Sequence, residues 1–468
     1  MSQPKYLRQL DFFIGWIFIL EIEYCAAMDV LDEEYGTNHE AGFISGKGDR
    51  NTYKLGRIGG HNVVINRPHS GISGQLTAFQ IAASMKSTFP CIRFVFLVGI
   101  GGGAPSQQVD VRLGDVVLGT SVVPYQKGKA MDRHFEITGI KQTPPLELLD
   151  AVTELKYRLR RGPSLEQIID ELFRQKVGQR DMYPRPAEDR LLLSEYLHEG
   201  KTCLCGRQEI RDVSKLVKRE KRPPRQLIRA HCGTIGSADQ VMKNAKLRDH
   251  LSREENIICF EMEAAAVMHT TRCIPVRGIS DYSDGHKNDV WHDYAALSAA
   301  ICARELLKWL SPDSVLSTTI ELTLDELRRL IEGSVEGIMM KIDQSLHFQN
   351  LENISMAMME ANLAIRELID FIKKFTTQQQ TNTDRTSICM LIGFQKQIQG
   401  LVYYIQTDIK FKITSACYLA LQGREELKQQ LDKTARDVAE LRTYPRQVWH
   451  SLLDVEPELP PWCHMRKT

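Results

Sequence analysis

The sequence has no excess of charge of either sign: 60 Lys and Arg stand against 59 Asp and Glu in 468 residues, a formal net charge of +1. Nucleic-acid and anionic-membrane binding draw on a basic field, so neither partner is expected. Also missing is any apolar stretch near the ~20 residues that span a bilayer. The run FFIGWIFIL at 12–20 follows Lys5 and Arg8 and loosely imitates a signal peptide. Glu21 and Glu23 stand where a cleavage region would be small and neutral, so the run reads as a buried first strand. No paired-cysteine framework is visible. The 11 cysteines are odd in number and scattered, and several sit inside apolar runs. Such usage suits buried free thiols in a reducing compartment, and a cytoplasmic location is the expectation. The P-loop pattern Gly-x-x-x-x-Gly-Lys-Ser/Thr is absent from these residues, which argues against a nucleoside-triphosphatase motor among them.

What is present divides in two. A length of 468 residues exceeds one ordinary core, so two domains are expected. Up to about 310, short β-rich runs (12–20, 62–66, 93–99, 115–118, 257–260 and 274–279) alternate with helical stretches (76–85, 262–269 and 294–310). This alternation predicts an α/β layer fold for 1–310. From about 155 to 229 the chain turns charged, broken by Pro184, Pro186, Pro223 and Pro224, and reads as a surface insertion. Beyond Pro312 the β signal stops. Apolar residues recur at helical spacing in stripes starting at Leu324, Leu351, Phe394 and Leu427. Residues 311–468 are therefore expected to form an all-α C-terminal domain, a bundle or an oligomerisation module.

Three short motifs carry chemistry. Gly99-Ile100-Gly101-Gly102-Gly103 follows the apolar run RFVFLV. Glycines there either make a tight strand exit or let a backbone approach a ligand. FEMEAAAVM at 260–268 places Glu261 and Glu263 at the start of a small-residue helix, where acidic side chains favour the positive end. Two residues apart, they are expected to face different ways and not to share one job. RGISDYSDGHK at 277–287 puts Asp281 at the end of an apolar strand, where open α/β sheets place ligands; a turn-forming Asp is the plainer alternative.

The order of these motifs, with IFILEIE (17–23), SGISG (70–74), RLGDVVL (112–118) and GTIGSADQ (233–240), resembles the purine nucleoside phosphorylase/uridine phosphorylase superfamily. Within it the chain is similar to methylthioadenosine/S-adenosylhomocysteine nucleosidase. It also resembles fungal nucleosidase-like domains attached to modules of immune-receptor-type proteins. The resemblance covers about 10–310 and not the helical tail. It implies a central mixed sheet flanked by helices, acting as an N-ribosyl hydrolase on a purine nucleoside or nucleotide such as adenosine or ATP. It further implies that Asp281 protonates the leaving base at N7, its pKa tuned upward by enclosure, and that Glu23 directs the attacking water. Glu263 would hold the ribose hydroxyls, with Met262 against the sugar. Ser70, Gly71, Gly99, Ile100, Gly101, Asp239, Val241, Met242 and Ser280 would line the substrate.

No metal or organic cofactor is implied, and relatives of this kind self-associate, so a homo-oligomer is expected. Phosphorylases of the superfamily surround phosphate with arginines, but the corresponding positions here are Leu97 and Ile100, with Glu21 and Glu23 nearby. Water is therefore the expected nucleophile. A phosphorylase, and a nucleoside-binding sensor or scaffold without catalysis, are the two alternatives. Cys203 and Cys205 with His198, His231 and Cys232 make a poor zinc spacing. The basic run 215–225 reads as a solvated loop, with phosphate reception as its alternative.

Overall fold

The apolar run near the N-terminus does form a strand, β1 (Ile14–Ile17), and all four of its residues are buried. In this computed structural model the described residues are 7–315, except 8, 44, 47, 69–70, 72, 133–134, 175, 177, 199–212, 224–225 and 313–314. The chain divides into units Met1–Thr318 and Thr319–Thr468. The second unit, with the helical stripes read from the sequence, lies outside the described residues.

After β1 come α1 (Glu21–Asp29), β2 (Glu33–Thr37), β3 (Tyr53–Ile58), β4 (His61–Asn66), α2 (Gln75–Thr88), β5 (Phe94–Gly103) and β6 (Val116–Pro124). A small hairpin follows, β7 (Gly128–Ala130) with β8 (Phe135–Ile137), then α3 (Leu146–Arg161) and α4 (Leu165–Phe173). The remainder is β9 (Ala230–Ser237), α5 (Ala245–Glu255), β10 (Ile257–Glu261), α6 (Ala264–Thr270), β11 (Cys273–Asp281) and α7 (His292–Lys308). Nine strands form one mixed sheet in the order β10-β9-β6-β11-β5-β1-β4-β3-β2. The strand readings of the sequence hold, and the sheet is a central mixed one flanked by helices, as expected.

β5 is the hub. Its first part lies parallel to β1 and β11, and Gly102 and Gly103 then pair antiparallel with Phe260 and Cys259 of β10. That pairing closes β10, β9, β6, β11 and β5 into a ring. The glycine run is therefore the end of a strand rather than a turn after one. α7 packs on β11, β5 and β6, and its alanines allow close approach: Gly278 sits directly against the Ala295 backbone.

The segment expected to be a surface insertion is partly core. Leu155 on α3 is buried, and so are Leu165, Ile169 and Phe173 on α4, which Ser164 caps. Tyr183, Leu191 and Ile228 join the same apolar cluster. The basic run is solvated only in part: Lys218 and Lys221 are exposed, but Arg219 and Arg222 are paired. Arg222 forks onto fully buried Asp115 at 2.6 and 2.8 Å, and His231 Nε2 meets the same carboxylate at 2.8 Å. Burial raises the Asp115 pKa, but the hydrogen bonds and charges of His231 and Arg222 outweigh it and leave the pKa lowered.

Asp115→Asn would strand a buried guanidinium and is expected to lower unfolding stability by about 3–5 kcal/mol at neutral pH. A carboxyl with a depressed folded-state pKa stabilises above its ordinary value of 3.8, and that contribution is lost as pH falls through the folded-state value. Urea titrations should therefore show wild type and variant converging below pH 3.8. Equal midpoints at neutral pH would contradict this role.

Candidate active site

Glu23 sits just after the first strand, in the first turn of α1. Its Oε2 accepts from the amides of Ile19 and Leu20, both at 2.9 Å, reaching back to cap the start of its own helix. Its Oε1 accepts from Ile100 N on β5 at 2.8 Å. Three backbone donors thus fix the carboxylate at the end of the β1–β5 pair. Gly99 is required beside it, because a Cβ there would strike both the Glu23 carboxylate and the Arg277 guanidinium.

Arg277, at the head of RGISDYSDGHK, is a site residue to which the motif assigns no role. It lies mid-strand on β11 and is 1% exposed, so its charge must be matched internally. Its Nη2 is hydrogen-bonded to Glu261 and lies 3.2 Å from Glu263 Oε2. Burial alone would lower the arginine pKa; Glu261, Glu263 and Glu23 reverse this and raise it, so the guanidinium stays charged.

Glu261 and Glu263 therefore share a partner, contrary to the expectation that they act apart. The reason is local. Glu261 ends β10, while Glu263 occupies the N-cap of α6, and the change of backbone direction between them brings both carboxylates to one side. Glu261 also accepts from the amides of Glu263 and Ala264 at 2.9–3.1 Å. Burial pushes the Glu263 carboxyl up to about 7; Arg277 opposes this, and Glu261 and Glu23 add to it.

Asp281 closes β11 and is 5% exposed. Its Oδ1 accepts from Ser283 N at 2.8 Å, its Oδ2 from Ser280 Oγ at 3.0 Å, and Lys287 Nζ lies 2.9 Å from Oδ2. The enclosure is thus rich in donors rather than purely apolar, and Lys287 had not been singled out. Ser280, expected to line the substrate, turns its hydroxyl to Asp281 and to Gly101 O.

Around these groups, Met262 is half-buried, Met242 is buried, and Gly71, Asp239 and Val241 are exposed. Asp239 sits at the start of α2, where it accepts from Gln75 N at 3.3 Å. Ile100 is half-buried, Gly99 and Gly101 are buried, and Ser70 lies outside the described residues. Leu97 is core.

Cys203 and Cys205 fall outside the described residues, and His231 is engaged by Asp115. Among the described residues no cluster of three His, Cys, Asp or Glu could hold a metal, and no helix is long and apolar enough to cross a membrane. A surface cleft of about 610 Å³ lined by Gln142, Glu147, Met268 and Arg272 lies at the Cys273 end of β11. At about 3.3 Å per residue the strand carries it roughly 26 Å from Asp281, too far to belong to the same site.

Residues 26–311 match the phosphorylase superfamily. A nucleotide-binding leucine-rich repeat (NLR)-like protein of Hyaloscypha variabilis is 35% identical over 312 residues, which is 65% of this chain and 30% of that protein. The chain thus spans about a third of that relative's length. Among solved structures, it resembles 5'-methylthioadenosine/S-adenosylhomocysteine nucleosidase from Neisseria meningitidis (TM-score 0.40, 16% identity, 63% of this chain and 98% of that one). It also resembles futalosine hydrolase of Helicobacter pylori (TM-score 0.41, 14% identity, 64% and 99%).

Proposed function

The chain belongs to the phosphorylase superfamily, and on that premise we propose that it hydrolyses the N-glycosidic bond of a purine nucleoside or nucleotide, such as adenosine or ATP. Water attacks the anomeric carbon as the bond to the base breaks. Glu23 orients that water and takes its proton, and Asp281 gives a proton to N7 so that the base leaves neutral. Glu263 accepts from the ribose hydroxyls, with Met262 against the sugar. The products are free base and ribose or its 5'-phosphorylated form. No metal is needed for these steps. A cytoplasmic homo-oligomer is part of the same proposal.

The observation that carries the reading is the charge around Arg277. One guanidinium is shared by Glu23, Glu261 and Glu263, so the cluster sums to a net charge of −2 when all are ionised, or −1 with Glu263 protonated. Such a cluster can hold a neutral water and stabilise an oxocarbenium-like sugar. It offers no spare cation to a phosphate dianion. Chromatography of products after incubation with adenosine, ATP, inosine and guanosine tests the activity; release of no free base would end the proposal.

A pH dependence follows from Glu263. Ionised, both of its oxygens accept from the ribose hydroxyls; protonation turns one of them into a donor and removes the charge, and kcat/KM reports the free enzyme. With the carboxyl at about 7, kcat/KM should fall on the acid side with a midpoint near that value. Glu263→Gln should remove that limb; an acid limb that persists in the variant would assign it elsewhere.

A further inference from the structure

We propose that the segment 183–198, together with Arg219, is a positioning clamp for the loop 281–287 that carries the acid Asp281 and its partner Lys287. The inference rests on the role given to Asp281 above and adds Asp189, Ser194 and Tyr196, which no motif marks.

The clamp grips the loop at two points. The first is Tyr282, next to Asp281 and 3% exposed. Its hydroxyl donates to Asp189 Oδ1. Arg219 Nη2 donates to Asp189 Oδ2 at 2.9 Å, and the Arg219 guanidinium lies 5.2 Å from the centroid of the Tyr282 ring. Burial and the Asp189 charge push the Tyr282 pKa well above its ordinary value, so the phenol stays a donor. From the other side, Arg248 Nη1 donates to Tyr282 O at 2.7 Å, and its Nη2 donates to Ser194 Oγ of the same segment at 3.0 Å.

The second grip is His286, directly before Lys287. Its ring stacks on Tyr196 at 5.1 Å and meets His198 edge-on at 5.2 Å, and its Nε2 lies 3.0 Å from Tyr196 O. Both ends of the loop are thus held by side chains of one segment. None of these groups touches the reacting atoms, so they act through the placement of Asp281. A general acid displaced by about 1 Å loses roughly 10²-fold in rate.

The test compares two substrates on the full chain. Adenosine needs a proton at N7; 4-nitrophenyl ribofuranoside releases a stabilised phenolate and needs none. Asp189→Asn and Tyr282→Phe should lower kcat on adenosine by about 10–100-fold, leave its KM within about threefold, and leave nitrophenyl riboside cleavage within about twofold. Tyr196→Leu, at a position already 37% exposed, should show the same split more weakly and guards against variants that fail to fold. Equal losses on both substrates, or no loss on either, would overturn the clamp. If wild type cleaves neither substrate, the nucleosidase reading itself falls, and the two failures are thereby told apart.

Discussion

Asp281→Asn should reduce purine release by about 10²–10⁴-fold, the loss expected when a general acid is removed. The amide keeps the shape of the side chain: its oxygen can still accept from Ser283 N, and its NH2 can donate to Ser280 Oγ. It cannot give a proton to N7. Folding and ground-state binding should therefore survive, with the loss in kcat rather than KM. The same variant should retain most activity on a nitrophenyl riboside, which needs no acid. Near-wild-type release of adenine by Asp281→Asn would show that another group protonates the base.

The second large effect concerns Arg277. Arg277→Met would leave Glu23, Glu261 and Glu263 facing one another in a closed site, with no cation to match them. Removing one partner of a buried charge cluster costs about 3–5 kcal/mol of stability. Loss of a preorganised electrostatic group typically costs about 10²–10³ in kcat as well. Arg277→Lys should recover part of the stability but little of the rate, because the shorter lysine side chain stops short of the point where Nη2 meets both Glu261 and Glu263. Thermal unfolding and single-turnover rates separate the two losses. A methionine variant with wild-type melting and turnover would show that the carboxylates are neutral or remote from the chemistry.

Much of this site was legible in the sequence, for a reason that can be stated residue by residue. Glu23, Glu263 and Asp281 each stand at the end of an apolar run, and their order along the chain matched the superfamily. What connects them was not legible. Arg277 sits inside RGISD, between apolar neighbours, where a charge is rarely buried unless paired; its partners come from α1 and β10, distant in sequence. The strand position of Gly99–Gly103 was hidden because glycine weakens the β signal, and the closure onto β10 that requires it is tertiary.

The same masking removed β9, whose AHCGTIGS carries two glycines, and β2, whose EEYGT is an exposed, charged edge. The apolar stripe Leu165, Ile169 and Phe173 of α4 is present in the sequence spacing, but the charged, proline-broken composition around it has the character of an insertion. The ion pairs of Arg219 and Arg222 could not be read from a run of basic residues, because their partners Asp189 and Asp115 lie elsewhere in the chain.

The central claim is that water, not phosphate, is the nucleophile. Leu97 and Ile100 stand where phosphorylases of the superfamily place phosphate-binding groups, and the one arginine in the site, Arg277, is surrounded by three carboxylates. The decisive measurement is the sugar product formed from adenosine in phosphate-free buffer and again with added phosphate. The account predicts free ribose and adenine in both cases, at the same rate. Ribose 1-phosphate as the main product, or cleavage only when phosphate is added, would contradict it.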